Sequence, residues 1–378
     1  IQTPSFEYFD IFSKDRGSVS DREMFKFFDR DNNTLVLRPD MTPAVARCVA
    51  KYFMDDDMPL RLCYLERTFK NNSSYQGRLK ERAEMGAELI GDDSADGDAE
   101  MIAMVIDSLK AAGLKEFQVE LGQVAFYRSL LEEAGFCGEV EEELNQLVEN
   151  KNDFGVAELL KGQDIDEGLK QAFLKLPELF GSLEQIAQAR KLTSAPRALA
   201  AIERLEQVHA ILKSYGLADY VSFDLGMLSK YHYYTGIIFK AYTYGTGDYI
   251  VTGGRYDKLL VQFGKDTPAV GFAIVVDQVM AALSRQQIDT PVTLVNTVIL
   301  YEATARDNAI RLGRYFKERG LAVQSMKRRQ DKSLEDYRAM TLGRHMRNLL
   351  YLKDDGRVVT AMDMVNGSAD EIPIEAYE

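Results

Sequence analysis

Arg38-Pro39-Asp40-Met41-Thr42-Pro43 is the stretch around which the rest of the chain can be ordered. Proline lacks an amide hydrogen and has a fixed φ, so Pro43 suits the first turn of a helix, and Thr42 before it is a natural N-cap. The stretch therefore reads as a junction feeding a helix over 43–53. Upstream, 25–30 and 34–37 read as a hairpin, with Asp31-Asn32-Asn33 supplying the turn. Downstream, 61–69 and 83–90 read as paired strands around a polar loop at 70–80.

Further along, Ile102, Val105, Ile106 and Leu109 share one face of a helix over 98–112 that stops at Gly113. Phe117, Val119 and Leu121 alternate at strand spacing. From about 124 the spacing is helical only, as in Leu199/Ile202/Leu205/Val208/Leu212. Strand signals return at 221–225, 236–241 and 249–252. Gly253-Gly254-Arg255-Tyr256-Asp257 reads as the start of a helix, and 269–276 as a buried strand. A linker is expected over 288–295. Strand and helix then alternate over 297–301, 305–319, 322–326, 334–342 and 348–352, a small α/β unit.

Composition narrows the function. The apolar and charged fractions, 46% and 28%, are those of a globular protein. The longest apolar run, 269–276, is far shorter than the roughly 18–20 residues of a membrane span, so no membrane partner is expected. No charged-then-apolar leader opens the given sequence, which starts at Ile1; a short native stretch ahead of it and a cytoplasmic location are expected. Cys48, Cys63 and Cys137 form no CxxC pair, and His209, His232 and His345 fall into no metal-ligand spacing. Those patterns argue against a disulfide framework, a zinc site or a metal enzyme. A net charge of −13 argues against a surface built to grip nucleic acid. The stretch 306–347 is the exception, with twelve Lys/Arg against five Asp/Glu. Solvated helix faces are the plain reading of it, and an anion, RNA or acidic-partner surface the sharper one.

No phosphate-loop motif is present. Gly253-Gly254-Arg255, if it opens a helix, has amides able to cradle an anion, although a tight turn explains two glycines as well. Tyr231, Tyr233 and Tyr234 flank His232, a run that packs sheets more often than it cages ligands. Glu84 and Glu88 lie four apart in a strand and so face one side. Two carboxylates beside a glycine-rich floor suit an ammonium or imidazole ligand.

Taken in order, Arg38–Pro43 as quoted, Lys70 with Gly77-Arg78, Gly86-Ala87-Glu88-Leu89-Ile90-Gly91, Tyr233-Tyr234-Thr235-Gly236, Gly253-Gly254-Arg255-Tyr256-Asp257 and Ala269-Val270-Gly271-Phe272-Ala273-Ile274 resemble the class II core of histidyl-tRNA synthetase. The resemblance covers most of 1–285. It implies an α+β fold: an antiparallel-sheet core from 1–122 and 217–285, a helical insertion at 123–216, and a shortened anticodon-binding-like α/β domain at 297–378. It also implies a histidine pocket, with Asp40 and Thr42 at the amino group, Glu88 at the imidazole, Tyr233 and Tyr234 around the side chain, and Glu84 in place of a glutamine.

The same resemblance implies lost catalysis. Arginines that serve ATP in the synthetases are replaced by Lys70, Ser229 and Gln278, and Asn71-Asn72-Ser73-Ser74 alters the motif 2 loop. Losing one preorganised donor to developing negative charge typically costs roughly 3 kcal/mol, so no catalytic residue, no cofactor and no aminoacylation are expected. Arg78, Lys230, Gly253, Gly254 and Arg255 are the candidates to hold a ligand carboxylate or anion in the absence of an arginine at Ser229. The wording Arg-Pro-Asp-Met-Thr resembles the regulatory subunits of ATP phosphoribosyltransferase, which open histidine biosynthesis together with a short-form catalytic subunit. That family implies a histidine-responsive homodimer that assembles with such a subunit. The alternatives are a histidyl-tRNA synthetase and a tRNA- or amino-acid-sensing paralogue.

Overall fold

The computed structural model describes residues 1–12, 19–53, 55–72, 79–228, 233–290 and 295–377. The chain divides into two compact units, Ile1–Asp289 and Thr290–Glu378.

The first unit is built on an eight-stranded sheet in the order Leu60–Phe69, Glu81–Ile90, Ala269–Val275, Val251–Arg255, Ile237–Thr243, Phe117–Gln123, Val221–Asp224, Phe180–Gly181. Neighbours run antiparallel, except that Phe117–Gln123 and Val221–Asp224 are parallel. Side-chain alternation gives the sheet two different faces. On one, Ala87, Leu89, Val119, Leu121, Phe239 and Val270 are buried against the helices Ala95–Ala111 and Pro196–Ser214. On the other, the same strands present Tyr64, Glu84, Gly86, Glu88, Thr252, Gly254 and Gly271. The helix Thr42–Tyr52 packs Val45 and Val49 into a separate cluster over this second face, with Tyr64, Tyr233, Tyr234 and Tyr256. The strands Phe6–Tyr8, Thr34–Leu37 and Lys26–Phe28 form a small antiparallel sheet nearby in sequence, so the expected hairpin is present.

Several expectations need correcting. Thr42 is not the N-cap: the helix includes it, Met41 precedes it without a capping side chain, and the Thr42 amide donates to Asp40. Gly253-Gly254-Arg255 does not open a helix. It is the end of the strand Val251–Arg255, paired on both sides, so its amides serve the ladder and form no anion cradle. The glycines are there for space. A Cβ on Gly253 would lie 2.4 Å from the Phe239 ring, and one on Gly254 would lie 2.8 Å from the Tyr234 ring.

The segment 123–216 is not purely helical. Phe180–Gly181 leaves its helices to pair with Val221–Asp224 at the sheet edge. The long helix Pro196–Ser214 packs Ile202, Leu205, Val208 and Leu212 into the same core as the sheet.

The second unit is a five-stranded sheet in the order Val323–Lys327, Thr297–Tyr301, Asn348–Leu352, Val358–Asp363, Ala369–Pro373, the first three parallel. Ile299, Leu350 and Leu352 face the helix Arg306–Glu318, while Val298, Leu300 and Leu349 pack with Leu334 and Tyr337 of the helix Leu334–Gly343 on the other face. Its last two strands were missed in the sequence, although Asp355-Gly356 and Asn366-Gly367 mark turns on either side of Val358–Asp363. No helix among the described residues is long and apolar enough to cross a membrane.

Candidate functional site

The polar face of the large sheet carries a cavity lined by Asp40, Thr42, Lys70, Glu84, Tyr233, Tyr234, Tyr249, Thr252, Tyr256 and Gly271, among others. Five of the six residues expected at a ligand site thus line one cavity. The sixth, Glu88, lies directly behind it. Glu88 is only 1% exposed and accepts from Tyr256 Oη at 2.5 Å and from Thr42 Oγ1 at 3.1 Å. Asp40 accepts from Tyr233 Oη at 2.8 Å. The three tyrosine rings meet edge-on, with Tyr233 centred 4.8 Å from Tyr234 and 5.9 Å from Tyr256.

Glycines make this arrangement possible. Gly271 pairs with Glu88 across the ladder, and a Cβ there would fall 1.6 Å from Glu88 Oε2. Substituting Gly271→Ala should therefore evict the Glu88 carboxyl and its tyrosine partner. A loss of about 1–3 kcal/mol of folding stability is expected from such overpacking, measured by urea unfolding.

Three carboxyls crowd one buried space: Asp40 9%, Glu84 8% and Glu88 1% exposed. Burial raises the pKa of each, because a charge is costly away from water. For Asp40, Lys70 and the hydrogen bonds from Tyr233 and Thr42 oppose the rise. For Glu84, Lys70 opposes it and Asp40 adds to it. Glu88 has hydroxyl donors instead, from Tyr256 and Thr42, and is pushed up to about 8. A cationic group placed among the three would oppose that rise.

The expected anion contacts fare differently. Arg78, Ser229 and Lys230 lie outside the described residues. Gly253 and Gly254 are held in the strand ladder. Arg255 is 5% exposed and turned away from the cavity, toward Asp98 at 2.7 Å, Asp257 at 3.1 Å and the carbonyl of Asp92 at 2.9 Å. A buried guanidinium needs such partners, and they leave it no role as a ligand contact. Asp98 also accepts from Arg204 Nε at 2.7 Å, which ties the helix Pro196–Ser214 to the strand under the cavity. Tyr249, Thr252 and Tyr256 were not anticipated. Tyr256 could have been, because it follows Arg255 in the same motif and the strand's alternation turns it back toward the polar face. Among the described residues no group of His, Cys, Asp or Glu is placed to hold a metal ion.

An antiparallel sheet of this order with a helical insertion and an acidic, tyrosine-lined pocket defines a histidyl-tRNA synthetase-like protein of class II fold. A family model described as histidyl-tRNA synthetase matches residues 1–279. More narrowly, the chain belongs to the ATP phosphoribosyltransferase regulatory subunits. It is 40% identical to that of Acetivibrio thermocellus over 324 residues, 86% of this chain and 78% of the relative. It is 37% identical to that of Ruminiclostridium cellulolyticum over 371 residues, 98% of this chain and 88% of the relative. The crystal structure of an ATP phosphoribosyltransferase regulatory subunit/histidyl-tRNA synthetase from Bacillus halodurans C matches with a TM-score of 0.81 at 32% identity, covering 94% of this chain and 89% of that one. Histidyl-tRNA synthetase from Nostoc sp. PCC 7120, at 17% identity and a TM-score of 0.78, shares the fold.

Proposed function

We propose that this chain is a non-catalytic allosteric subunit that binds free histidine and assembles with a short-form ATP phosphoribosyltransferase catalytic subunit. The partner carries out the first step of histidine biosynthesis, and this chain brings feedback to it. The observation that carries the reading is the convergence of Asp40, Glu84 and Glu88 with Tyr233, Tyr234 and Tyr256 on one buried space. Carboxyls suit the ligand's ammonium and imidazole, and aromatic walls suit a flat ring. Lys70 and Gln278, standing where the synthetases use arginine, support binding without adenylation.

A second copy of the chain is the other partner we propose. Phe6, Tyr8 and Phe28, on the small N-terminal sheet, are 51%, 56% and 66% exposed. Apolar surface of this kind commonly marks a protein contact.

Histidine need only bind one assembly state more tightly to shift the balance, with a coupling of about 1–3 kcal/mol. Calorimetric titration of the isolated chain is expected to show saturable histidine binding. The same histidine should lower the activity of a co-expressed short-form catalytic subunit that is inactive alone. No heat of binding at millimolar histidine would dispose of the sensor, and a catalytic subunit fully active by itself would dispose of the scaffold. Histidine-dependent pyrophosphate exchange with ATP would favour the synthetase alternative.

A further inference from the structure

The second unit leaves one edge of its sheet open. Among the described residues Val323–Lys327 pairs with Thr297–Tyr301 alone. The opposite edge, Ala369–Pro373, carries Asp370, Glu371 and Pro373, the kind of charge and proline that keeps foreign strands away. Val323–Lys327 has no proline, and its one charge is Lys327 at the end. Val323 and Ser325 point toward the helix Arg306–Glu318, and a groove of about 400 Å³ runs between that helix and the strand. Ile310 and Leu321, each 52% exposed, give it apolar walls together with Val323. Gly313 lines it from the helix. A Cβ there would come no closer than 3.5 Å, to Ser325 Oγ, so the packing has room for alanine. A glycine inside a helix is destabilising relative to alanine, and what it gives here is a wider groove.

Two cations, Arg314 and Lys317, also line the groove, and among the described residues neither side chain has an ion pair or hydrogen bond. Elsewhere in the unit arginines are already engaged: Arg328 with Glu302, Arg329 with Asp331, Arg347 with Asp363. No carboxylate lines the groove, and no aromatic ring on which a nucleic-acid base could stack. An occupant must bring apolar groups, negative charge and a backbone able to pair with an open edge. A polypeptide meets all three and RNA does not, while the same edge of a second copy would bring like charge. We propose that Val323–Lys327 accepts an extended acidic segment of a partner protein as an added strand, its apolar side chains in the groove and its carboxylates on Arg314 and Lys317. Backbone pairing and the groove supply the affinity, and the cations select the sign of the partner. This surface is independent of the histidine pocket.

The full chain is titrated, by fluorescence anisotropy, with a labelled peptide in which glutamate alternates with valine. Saturable binding is expected, weakening as salt rises, with slower amide exchange along Val323–Lys327 in the complex. Arg314→Glu combined with Lys317→Glu should weaken binding roughly 10-fold. Gly313→Leu fills the groove, keeps the charges and favours the helix, and should weaken binding to a similar degree, roughly 10-fold. The same peptide with its amides N-methylated cannot join the ladder and should not bind. No saturation at millimolar peptide overturns the proposal. So does equal binding of the methylated peptide, which would mean charge attraction without strand pairing, and so does affinity left unchanged by either variant. Tighter binding of oligouridylate than of the peptide, lost on charge reversal and kept in Gly313→Leu, overturns it in favour of an RNA surface.

Discussion

Replacing Glu88 by glutamine is expected to lower histidine affinity roughly 100-fold and, at alkaline pH, to make the free protein more stable. The shape survives, since an amide can still accept from Tyr256 and meet Thr42. What is lost is an acid that ionises at about 8 instead of its ordinary 4.5. A free imidazole titrates near 6.5, so around neutrality the ligand arrives neutral and Glu88 is protonated. Together they hold one proton beyond the imidazole's own N–H, and the pair can share it without exchange with solvent. Below about 6.5 the ligand brings an extra proton that must leave, and above about 8 the pair must take one up. Histidine affinity should therefore peak between these values, and Glu88→Gln should lose the alkaline limb. Calorimetry across that range gives the profile. An unchanged alkaline limb in the variant would remove Glu88 from the ligand.

Stability follows with its own sign. The folded pKa of Glu88 lies above the unfolded one, so its contribution is present in full below 4.5 and drains away as pH rises to about 8. Over that window the loss is on the order of 5 kcal/mol. Glutamine does not titrate. The stability of Glu88→Gln relative to the unchanged protein should climb from pH 5 to pH 8.5 in urea unfolding.

Asp98→Ala is expected to be the most damaging single change away from the pocket, costing about 3–5 kcal/mol. Asp98 is fully buried and is shared by Arg255 and Arg204. Removing it strands the Arg255 guanidinium, itself 5% exposed, with Asp257 and two backbone carbonyls. It also unties the helix Pro196–Ser214 from Ala95–Ala111. Amide exchange should quicken along Pro196–Ser214 as the unfolding midpoint falls. Arg204→Gln is the control. Its side chain is 23% exposed, water can serve the freed Asp98 oxygen, and a loss of roughly 1 kcal/mol is expected.

Much of the fold was legible because its signals are local. The apolar run at Ala269–Val275 and the alternation at Phe117–Gln123 can be read without knowing their neighbours. The acidic half of the pocket was legible for a similar reason, since Glu84 and Glu88 fall on one face of any strand. What depends on distant partners was not. Gly253-Gly254 looks the same in a turn as in a strand, and only Phe239 and Tyr234 lying over it decide. Arg255 reads as an available cation until Asp98, 157 residues earlier, is placed against it. Thr42 has the chemistry of a cap, but Glu88, 46 residues away, claims its hydroxyl.

The two-residue strand Phe180–Gly181 bears on how the molecule avoids clumping. An open sheet edge is a row of unsatisfied amides and carbonyls that invites another chain's strand, the usual first step toward aggregates. Here the insertion lends a short piece of itself to Val221–Asp224 and closes that side. Excising 123–216 to simplify the protein would therefore uncover an adhesive border as well as remove six helices, and the trimmed chain would be prone to precipitate.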